Sequence, residues 1–418
     1  MPFKSNKNVH IIGGGTVYHV RPHLAISAPA YGKAAKEIEQ LVISHGVKPI
    51  LHLTKMAGGH NLETNLNVSN LVDKLIEDPK TSCIFMPVAL CDYEGFVGSN
   101  TEEHGKRGVR LKTSDGPTEM ALHPADKIIG KIRKNRKDIF LVAFKTTCGA
   151  TEDEQFLAGL SLMKKNSCNL VLANDLETRL NMVITPEQAK YSVTTNRLEA
   201  LDILVEMAEA RTGLNFTRSE VVLSDSVSWS SDNVPASLRT VVNDCIKNGA
   251  YRPFQGKTVG HFAVKTGENE FLTSIRKSNF NDLENTGLVR VEAVGSDKVI
   301  AYGKRPSVGG QSQRIIFSAH PDLDCIVHAH VPLRHDAIDI IPVADQWPYE
   351  CGSHECGENT SRNLKKFGDI YAVMLDNHGP NIVFNRSVDP EKVIEFIHNN
   401  FDLSKSTDGT LYKVSTQI

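Results

Sequence analysis

An apolar run that ends in two histidines constrains this chain more than any other stretch. Cys325-Ile326-Val327-His328-Ala329-His330 reads as a buried strand, because a short continuous apolar run needs cover on both faces. Side chains alternate across a strand, so His328 and His330 point the same way, close enough to share one metal ion. His378 follows a second apolar run, Tyr371 to Leu375, and precedes Gly379-Pro380. Three neutral imidazoles leave a coordination position open, which a catalytic zinc site requires. The alternative is three unrelated histidines at strand ends. A lone histidine takes that reading readily; a His-x-His pair does not.

The chain has 418 residues, more than one ordinary domain, so two or three are expected, each with its own core. The net charge of −2 gives no reason to expect nucleic acid or a membrane surface. No apolar run reaches membrane-spanning length, and MPFKSNKNVHII lacks a signal-peptide pattern. Cysteines without disulfide-like spacing fit a reducing, cytoplasmic setting. Cys351 and Cys356 are spaced more widely than a structural zinc knuckle requires and read as packing thiols.

In chain order, Val9 to Ile12 is a short strand running into Gly13-Gly14-Gly15-Thr16. A helix is expected from near Ser27-Ala28-Pro29, with Pro29 in its first turn and Gly46 at its C-terminal cap. Lys48 to Leu53 is the next strand. Strand, glycine loop, helix and strand together begin a doubly wound, Rossmann-like parallel sheet. Glycines there would let backbone N–H groups approach a phosphate, although tight turns use glycine everywhere. Further strands are expected at Ser82 to Leu90, Ile139 to Phe144 and Leu170 to Leu172, with helices at Pro124 to Lys134, Asp153 to Lys165 and Asn196 to Arg211. Each of those strands runs into polar residues at its C-terminal end, the edge where open parallel sheets bind ligands.

This half resembles the phosphopantothenoylcysteine synthetases (phosphopantothenate–cysteine ligases). The resemblance rests on a series: Gly14-Gly15-Thr16, Val20-Arg21, Gly32-Lys33, Cys91-Asp92-Tyr93, RGVRLKTSDG with Arg110 and Lys112, Ala143 to Thr147, and MKKNSCNLVLANDLE with Lys164, Lys165, Asn174 and Asp175. It implies CTP or ATP with Mg2+, held by Gly14, Gly15, Thr16, Arg21, Asp92, Phe144, Asn174 and Asp175. Lys112 would neutralise phosphate charge as pyrophosphate leaves. Two departures stand out. PHLAISAPAYG has no asparagine where the family carries one, and Thr146 or Lys145 replaces a glutamate. The series supports the nucleotide frame; the departures leave ligation to cysteine unsupported.

HPDLDCIVHAH followed by VMLDNHG resembles the class II aldolase/adducin family, and the match extends back to about Ala250. GHFAVK is similar to the family's Gly-Asn turn, and FLTSIRKSNFNDLENTGLVRVE to the strand and helix after it. The resemblance implies a class II aldolase-like α/β/α domain in which His328, His330 and His378 bind Zn2+ or another divalent metal. It also implies a phosphate subsite at Thr273, Ser274 and Ser307, near Gly260-His261, with Arg276 and Lys277 adding positive charge. The family's proton-shuttling acid falls at Gly309 here, and Gln311 and Gln313 cannot titrate. Glu350 and Glu355, in YECGSHECGEN, are the candidate replacements. The alternative is a polar loop whose acids face solvent, and the residues alone leave both open.

The expected organisation is a nucleotide-binding domain at 1–214, a polar linker at 215–235, a metal domain at 236–405 and a polar tail at 406–418. The linker segment could instead order on one domain. The expected function is a fused enzyme acting on small molecules: a nucleotide-dependent carboxylate–amine ligase joined to a zinc-dependent lyase for a hydroxy-carbonyl compound. The alternative is a non-catalytic nucleotide-binding and oligomerisation protein that keeps both folds. A homo-oligomer, dimer or tetramer, is expected, with the second site near an interface that supplies an acid.

Overall fold

The computed structural model describes residues 7–98 and 105–407, with the backbone alone at 308–312. All but the first two residues of the tail expected at 406–418, and the side chain of Gln311, lie outside the described residues. The chain divides into two compact units. One comprises residues 1–186 and 190–213, the other residues 187–189 and 214–418.

The first unit contains β1 (Asn8–Gly13), β2 (Val17–Arg21), β3 (Leu24–Ser27), α1 (Lys33–Ser44), β4 (Ile50–Leu53), α2 (Asn65–Glu77), β5 (Thr81–Met86), β6 (Tyr93–Phe96) and β7 (Ala121–Pro124). It continues with α3 (Gly130–Asn135), β8 (Phe140–Thr147), α4 (Glu152–Asn166), β9 (Leu170–Asp175), β10 (Asn181–Ile184), β11 (Lys190–Thr194) and α5 (Arg197–Thr212). The main sheet runs β11-β10-β9-β8-β5-β1-β4. Its pairings from β4 to β9 are parallel, while β10 and β11 pair antiparallel. Ile11, Ile84, Val142 and Leu172 are fully buried, as a parallel sheet covered on both faces requires.

Two helix starts differ from expectation. Leu24–Ser27 pairs antiparallel with Val17–Arg21, so α1 begins only at Lys33, behind Gly32 at φ 74. Pro29 is therefore outside the helix. Ala121–Pro124 likewise pairs with Tyr93–Phe96, which shortens the helix expected from Pro124 to Gly130–Asn135. In both cases pairing with a neighbouring segment outcompetes local helical preference. Elsewhere local signals decide: Thr151 caps α4 with a reciprocal capping box to Glu154, and Asn196 caps α5.

The second unit contains β12 (Arg218–Val222), α6 (Ala236–Lys247), β13 (His261–Lys265), β14 (Glu270–Ser274), α7 (Leu283–Thr286), β15 (Leu288–Ala293), β16 (Lys298–Tyr302), α8 (Val308–Ala319) and β17 (Cys325–His328). After these come β18 (Val343–Ala344), α9 (His354–Asn363), β19 (Lys365–Phe367), β20 (Ile370–Leu375), β21 (Gly379–Phe384) and α10 (Pro390–Asn400). The sheet order is β12-β16-β15-β14-β13-β17-β21-β20-β18, with β19 on β20. Strand alternation sorts its residues onto two faces. Phe262, Val264 and Val327 pack with Val241 of α6 and Ile397 of α10. Ala263 and Ile326 pack with Ile316 and Phe317 of α8. The result is a three-layer α/β/α unit.

The segment read as a linker is part of this unit. Arg218–Val222 adds a parallel edge strand to β16, and Trp229 and Val234 are buried in the core beside α6. Its polar composition reflects an edge strand and tight turns rather than a free tether. Among the described residues, no helix is long and apolar enough to cross a membrane.

Candidate metal centre and ligand edge

In the second unit β17 lies between β13 and β21, both antiparallel to it, with His328 opposite His261 on one side and Asn381 on the other. The strand ends at His328, so His330 lies in the turn beyond rather than on the strand as alternation suggested. The rings converge nonetheless. Candidate ligand atoms of His328, His330 and His378 all lie within 4.8 Å of one another, and Nε2 of His328 and of His378 are 3.2 Å apart. Ring centroids are separated by 5.1, 4.6 and 4.7 Å.

Two close backbone approaches make this possible. A Cβ at Gly379, φ 152, would lie 2.0 Å from the Ala329 carbonyl oxygen and 3.1 Å from the His330 Cα. One at Gly260, φ 95, would lie 2.5 Å from the His328 carbonyl oxygen. Only glycine lets both neighbouring segments press against 328–330 in these conformations. Tyr251 adds a hydrogen bond from its hydroxyl to the His328 carbonyl, 3.2 Å.

His328 Nδ1 lies 2.8 Å from the Pro380 carbonyl oxygen. A carbonyl only accepts, so Nδ1 carries the proton and Nε2 keeps its lone pair toward the other imidazoles. Burial pushes the His328 imidazole down to about 4, against the upward pull of the Pro380 carbonyl, so the ring is neutral at ordinary pH, the form that binds metal. Three imidazoles with the tautomer of one fixed from behind fit a divalent transition metal such as zinc.

Sequence reasoning placed His261 only in a phosphate-binding turn. Its ring lies 4.7 Å from that of His328, and its Nδ1 meets the Gln313 amide. Gln313 in turn accepts from the Thr273 hydroxyl, 2.9 Å. The signal was the His261–His328 strand register, which no local pattern reveals. Neither Glu350 nor Glu355 joins the three histidines. Glu350 is buried. Glu355 opens α9 and accepts from the backbone and side-chain nitrogens of Asn215, at 3.1 and 2.8 Å. Thr273, Ser274 and Ser307 do come together, Ser307 N donating to Ser274 O at 3.0 Å, but all three are buried. Cys356 is a buried packing thiol.

In the first unit the order of the parallel strands reverses between β1 and β5, the switch point where such sheets open a crevice at their C-terminal ends. The proposed ligand residues there divide into two groups. Gly14, Gly15 and Thr16 are buried. Gly15 N donates to Ala30 O at 2.7 Å and Thr16 N to Ala89 O at 3.0 Å, so those two N–H groups are turned into the fold. The Thr16 hydroxyl donates to Asn65 Oδ1, 2.7 Å, and accepts from Cys91 N, 2.9 Å. Arg21 is buried and donates to the Val20 and Val97 carbonyls. Asp175 is also buried. Burial would raise its carboxyl, but N–H groups of Thr178, Ala150 and Glu177 and the Thr147 hydroxyl hold it well below the usual carboxylate range. These residues therefore brace the edge. Asp92 and Lys112 are exposed, and Phe144 and Asn174 half-buried, which leaves these four accessible. Asp92 pairs with Lys127.

Comparison with known proteins agrees with this division into two. The family model "Class II Aldolase and Adducin N-terminal domain" matches residues 244–334. Residues 244–334, within the C-terminal unit, are thus similar to that family. A curated relative of the other half is the "Coenzyme A biosynthesis bifunctional protein CoaBC" of Thermococcus kodakarensis, 24% identical over 177 residues, 41% of this chain. The chain spans 42% of that relative's length. Among solved structures, a "DNA/Pantothenate Metabolism Flavoprotein" from Streptococcus pneumoniae is 19% identical, with a TM-score of 0.41 over 49% of this chain and 99% of that one. An "L-fuculose 1-phosphate aldolase" is 16% identical, with a TM-score of 0.31 over 45% of this chain and 87% of that one. The family match and the curated relative thus fall on two different parts of this chain.

Proposed function

We propose that the chain is a fused enzyme with two separate chemistries. The C-terminal unit binds one divalent metal, zinc, through His328, His330 and His378, and acts as a lyase on a small hydroxy-carbonyl compound. The observation that carries this reading is the convergence of the three imidazoles, with His328 Nδ1 held on Pro380. When bound, a divalent ion polarises a carbonyl and takes up the negative charge of an enediolate. The chain's own contribution is placement. Gly260 and Gly379 allow the close packing, Tyr251 and Pro380 hold the His328 segment and ring, and burial of His328 and His378 excludes water. Proton transfer falls to a carboxylate delivered from a neighbouring copy across an interface; of the two candidates Glu350 is buried and Glu355, half-buried at the start of α9, is the one left for this role.

The N-terminal unit binds CTP or ATP with Mg2+ at the strand-end edge by Asp92, Phe144 and Asn174, and activates a carboxylate for attack by an amine. Lys112 places positive charge where pyrophosphate departs. Likeness to the bifunctional relative supports this reading, as does the strand-order reversal between β1 and β5.

Metal analysis of protein purified without chelators and supplied with zinc tests the first half: about one ion per chain is expected, and His330→Ala abolishes binding. A metal-free wild type would end the lyase reading. Calorimetry with nucleoside triphosphates and magnesium tests the second half. No heat with any of them would end it. Binding without pyrophosphate release in the presence of phosphopantothenate and cysteine would point to a different acid and amine. One observation favours a second reading: no carboxylate of the described residues joins the imidazoles, as in a metal-binding unit without catalysis.

A further inference from the structure

The sheet of the second unit has two chemically different ends. One carries the imidazoles, where β13 starts at His261 and β17 stops at His328. At the other end β13 finishes at Lys265, four residues and roughly 13 Å from His261. Helix α8 runs along β14 from the first end to the second. Gln313 meets Thr273 near the imidazoles. About one turn further on, Phe317 packs on Phe271 with ring centroids 6.1 Å apart. Beyond that pair the helix and the sheet leave a cavity of about 300 Å³, at the lower end of the size of small-molecule sites. The two buried rings line it, together with Lys265, Glu270, Arg314 and Ser318.

The charges around this cavity do not balance. Glu270 is already engaged, accepting from Arg290 Nη1 at 2.7 Å and from the Thr266 hydroxyl at 3.0 Å. Asp297, whose charge acts on Arg314, pairs with Arg218 at 2.6 Å. Arg314 is half-buried and held by neutral acceptors. Its Nε and Nη2 donate to the Thr217 hydroxyl at 3.4 and 3.3 Å, and Nη2 also donates to the Ser296 carbonyl and, at 3.2 Å, to His354 Nε2. None of these bonds uses Nη1. The guanidinium is therefore fixed in place with one donor group in reserve, which lowers the entropy cost of a further bond. Lys265 is half-buried too, and among the described residues it has no ion-pair partner. The remaining acid of the lining, Glu268, is exposed on the hairpin between β13 and β14. Two half-buried cations without carboxylate partners favour an anionic ligand. Two separate cations flanking apolar rings fit two carboxylates joined by a short hydrocarbon better than they fit one compact anion.

We propose that this cavity is a second ligand site of the C-terminal unit, for a small organic dicarboxylate. One carboxylate meets Arg314 Nη1, the other meets Lys265, and the spacer lies against Phe271 and Phe317. The site is separate from the imidazoles and stands whether or not they hold a metal.

The test is calorimetric titration of the full chain with glutarate and, separately, with acetate and inorganic phosphate. Glutarate is expected to bind most tightly. Lys265→Ala and Arg314→Gln should each weaken it about tenfold, the loss of one hydrogen bond between charged groups. Ser318→Trp, which fills the cavity from the exposed side of α8, should abolish binding. Lys265→Ala and Ser318→Trp should keep the wild-type melting temperature, whereas Arg314→Gln also loses its bonds to Thr217 and Ser296 and should melt lower. His330→Ala, at the far end of the sheet, should leave the glutarate isotherm unchanged. No heat with glutarate, or an isotherm unchanged in both Lys265→Ala and Ser318→Trp, would overturn the site. Binding lost in His330→Ala would move the dicarboxylate to the imidazoles and overturn it equally. Acetate or phosphate binding as tightly as glutarate would overturn the dicarboxylate assignment.

Discussion

Gly379→Ala isolates what holds the histidine cluster together. The new methyl would lie 2.0 Å from the Ala329 carbonyl oxygen, 3.0 Å from its carbon and 3.1 Å from the His330 Cα. Ordinary contact would require the 328–330 segment or β21 to move by about 1 Å, in an interior packed as densely as a crystal. The backbone at φ 152 adds about 1–3 kcal/mol of strain for any residue with a Cβ. Together with the displacement, a loss of about 3–5 kcal/mol of stability is expected. Zinc affinity should fall on the order of 10- to 100-fold, as when a group that orients a metal ligand is lost. Gly368→Ala is the control. Its φ is +61, yet a Cβ there meets nothing within 4 Å, so it should lose only about 1–2 kcal/mol and keep full zinc affinity. Urea unfolding and a competitive zinc titration measure both quantities on both variants. Equal stability losses in the two variants, with zinc binding untouched, would refute the packing argument.

Three further expectations follow from other parts of the chain. His10 stacks on His52 with centroids 5.3 Å apart, and burial, helped by His52 and opposed by Asp78, lowers it to about 4. Its folded value lies below its unfolded one, so its contribution is complete above about pH 6.5 and is lost as pH falls toward 4, by up to about 3 kcal/mol; urea unfolding of the first unit that is equally pH-dependent in His10→Gln would contradict this. Asp175→Asn should speed amide exchange at Gly149, Ala150, Glu177 and Thr178, whose N–H groups its carboxylate gathers, and weaken nucleotide binding; unchanged exchange would remove its bracing role. If a neighbouring copy supplies the acid of the second site, light scattering should give a dimer or tetramer; a monomer near 46.0 kDa with lyase activity intact would exclude the shared site.

Local chemistry determined a good deal by itself. The apolar runs at Val9 to Ile12 and Leu170 to Leu172 became buried strands of the main sheet, as short runs bounded by turn residues suggest. The α4 and α5 helices start at Thr151 and Asn196 because capping bonds form within a few residues. The His-x-His pair announced a cluster of imidazoles, which the fold assembles although His330 lies past the strand end. The tertiary structure decided whatever depended on partners distant in sequence. Leu24–Ser27 became a strand against Val17–Arg21, which delayed α1 to Lys33. A polar stretch became an edge strand because β16 lay beside it. His261 reached His328 through strand register. Thr16, Arg21 and Asp175, chosen as ligand-binding residues, were drawn inward to satisfy buried backbone groups. Periodicity and capping are written in neighbouring residues, whereas burial, register and hydrogen-bond completion depend on which segments the folded chain sets side by side.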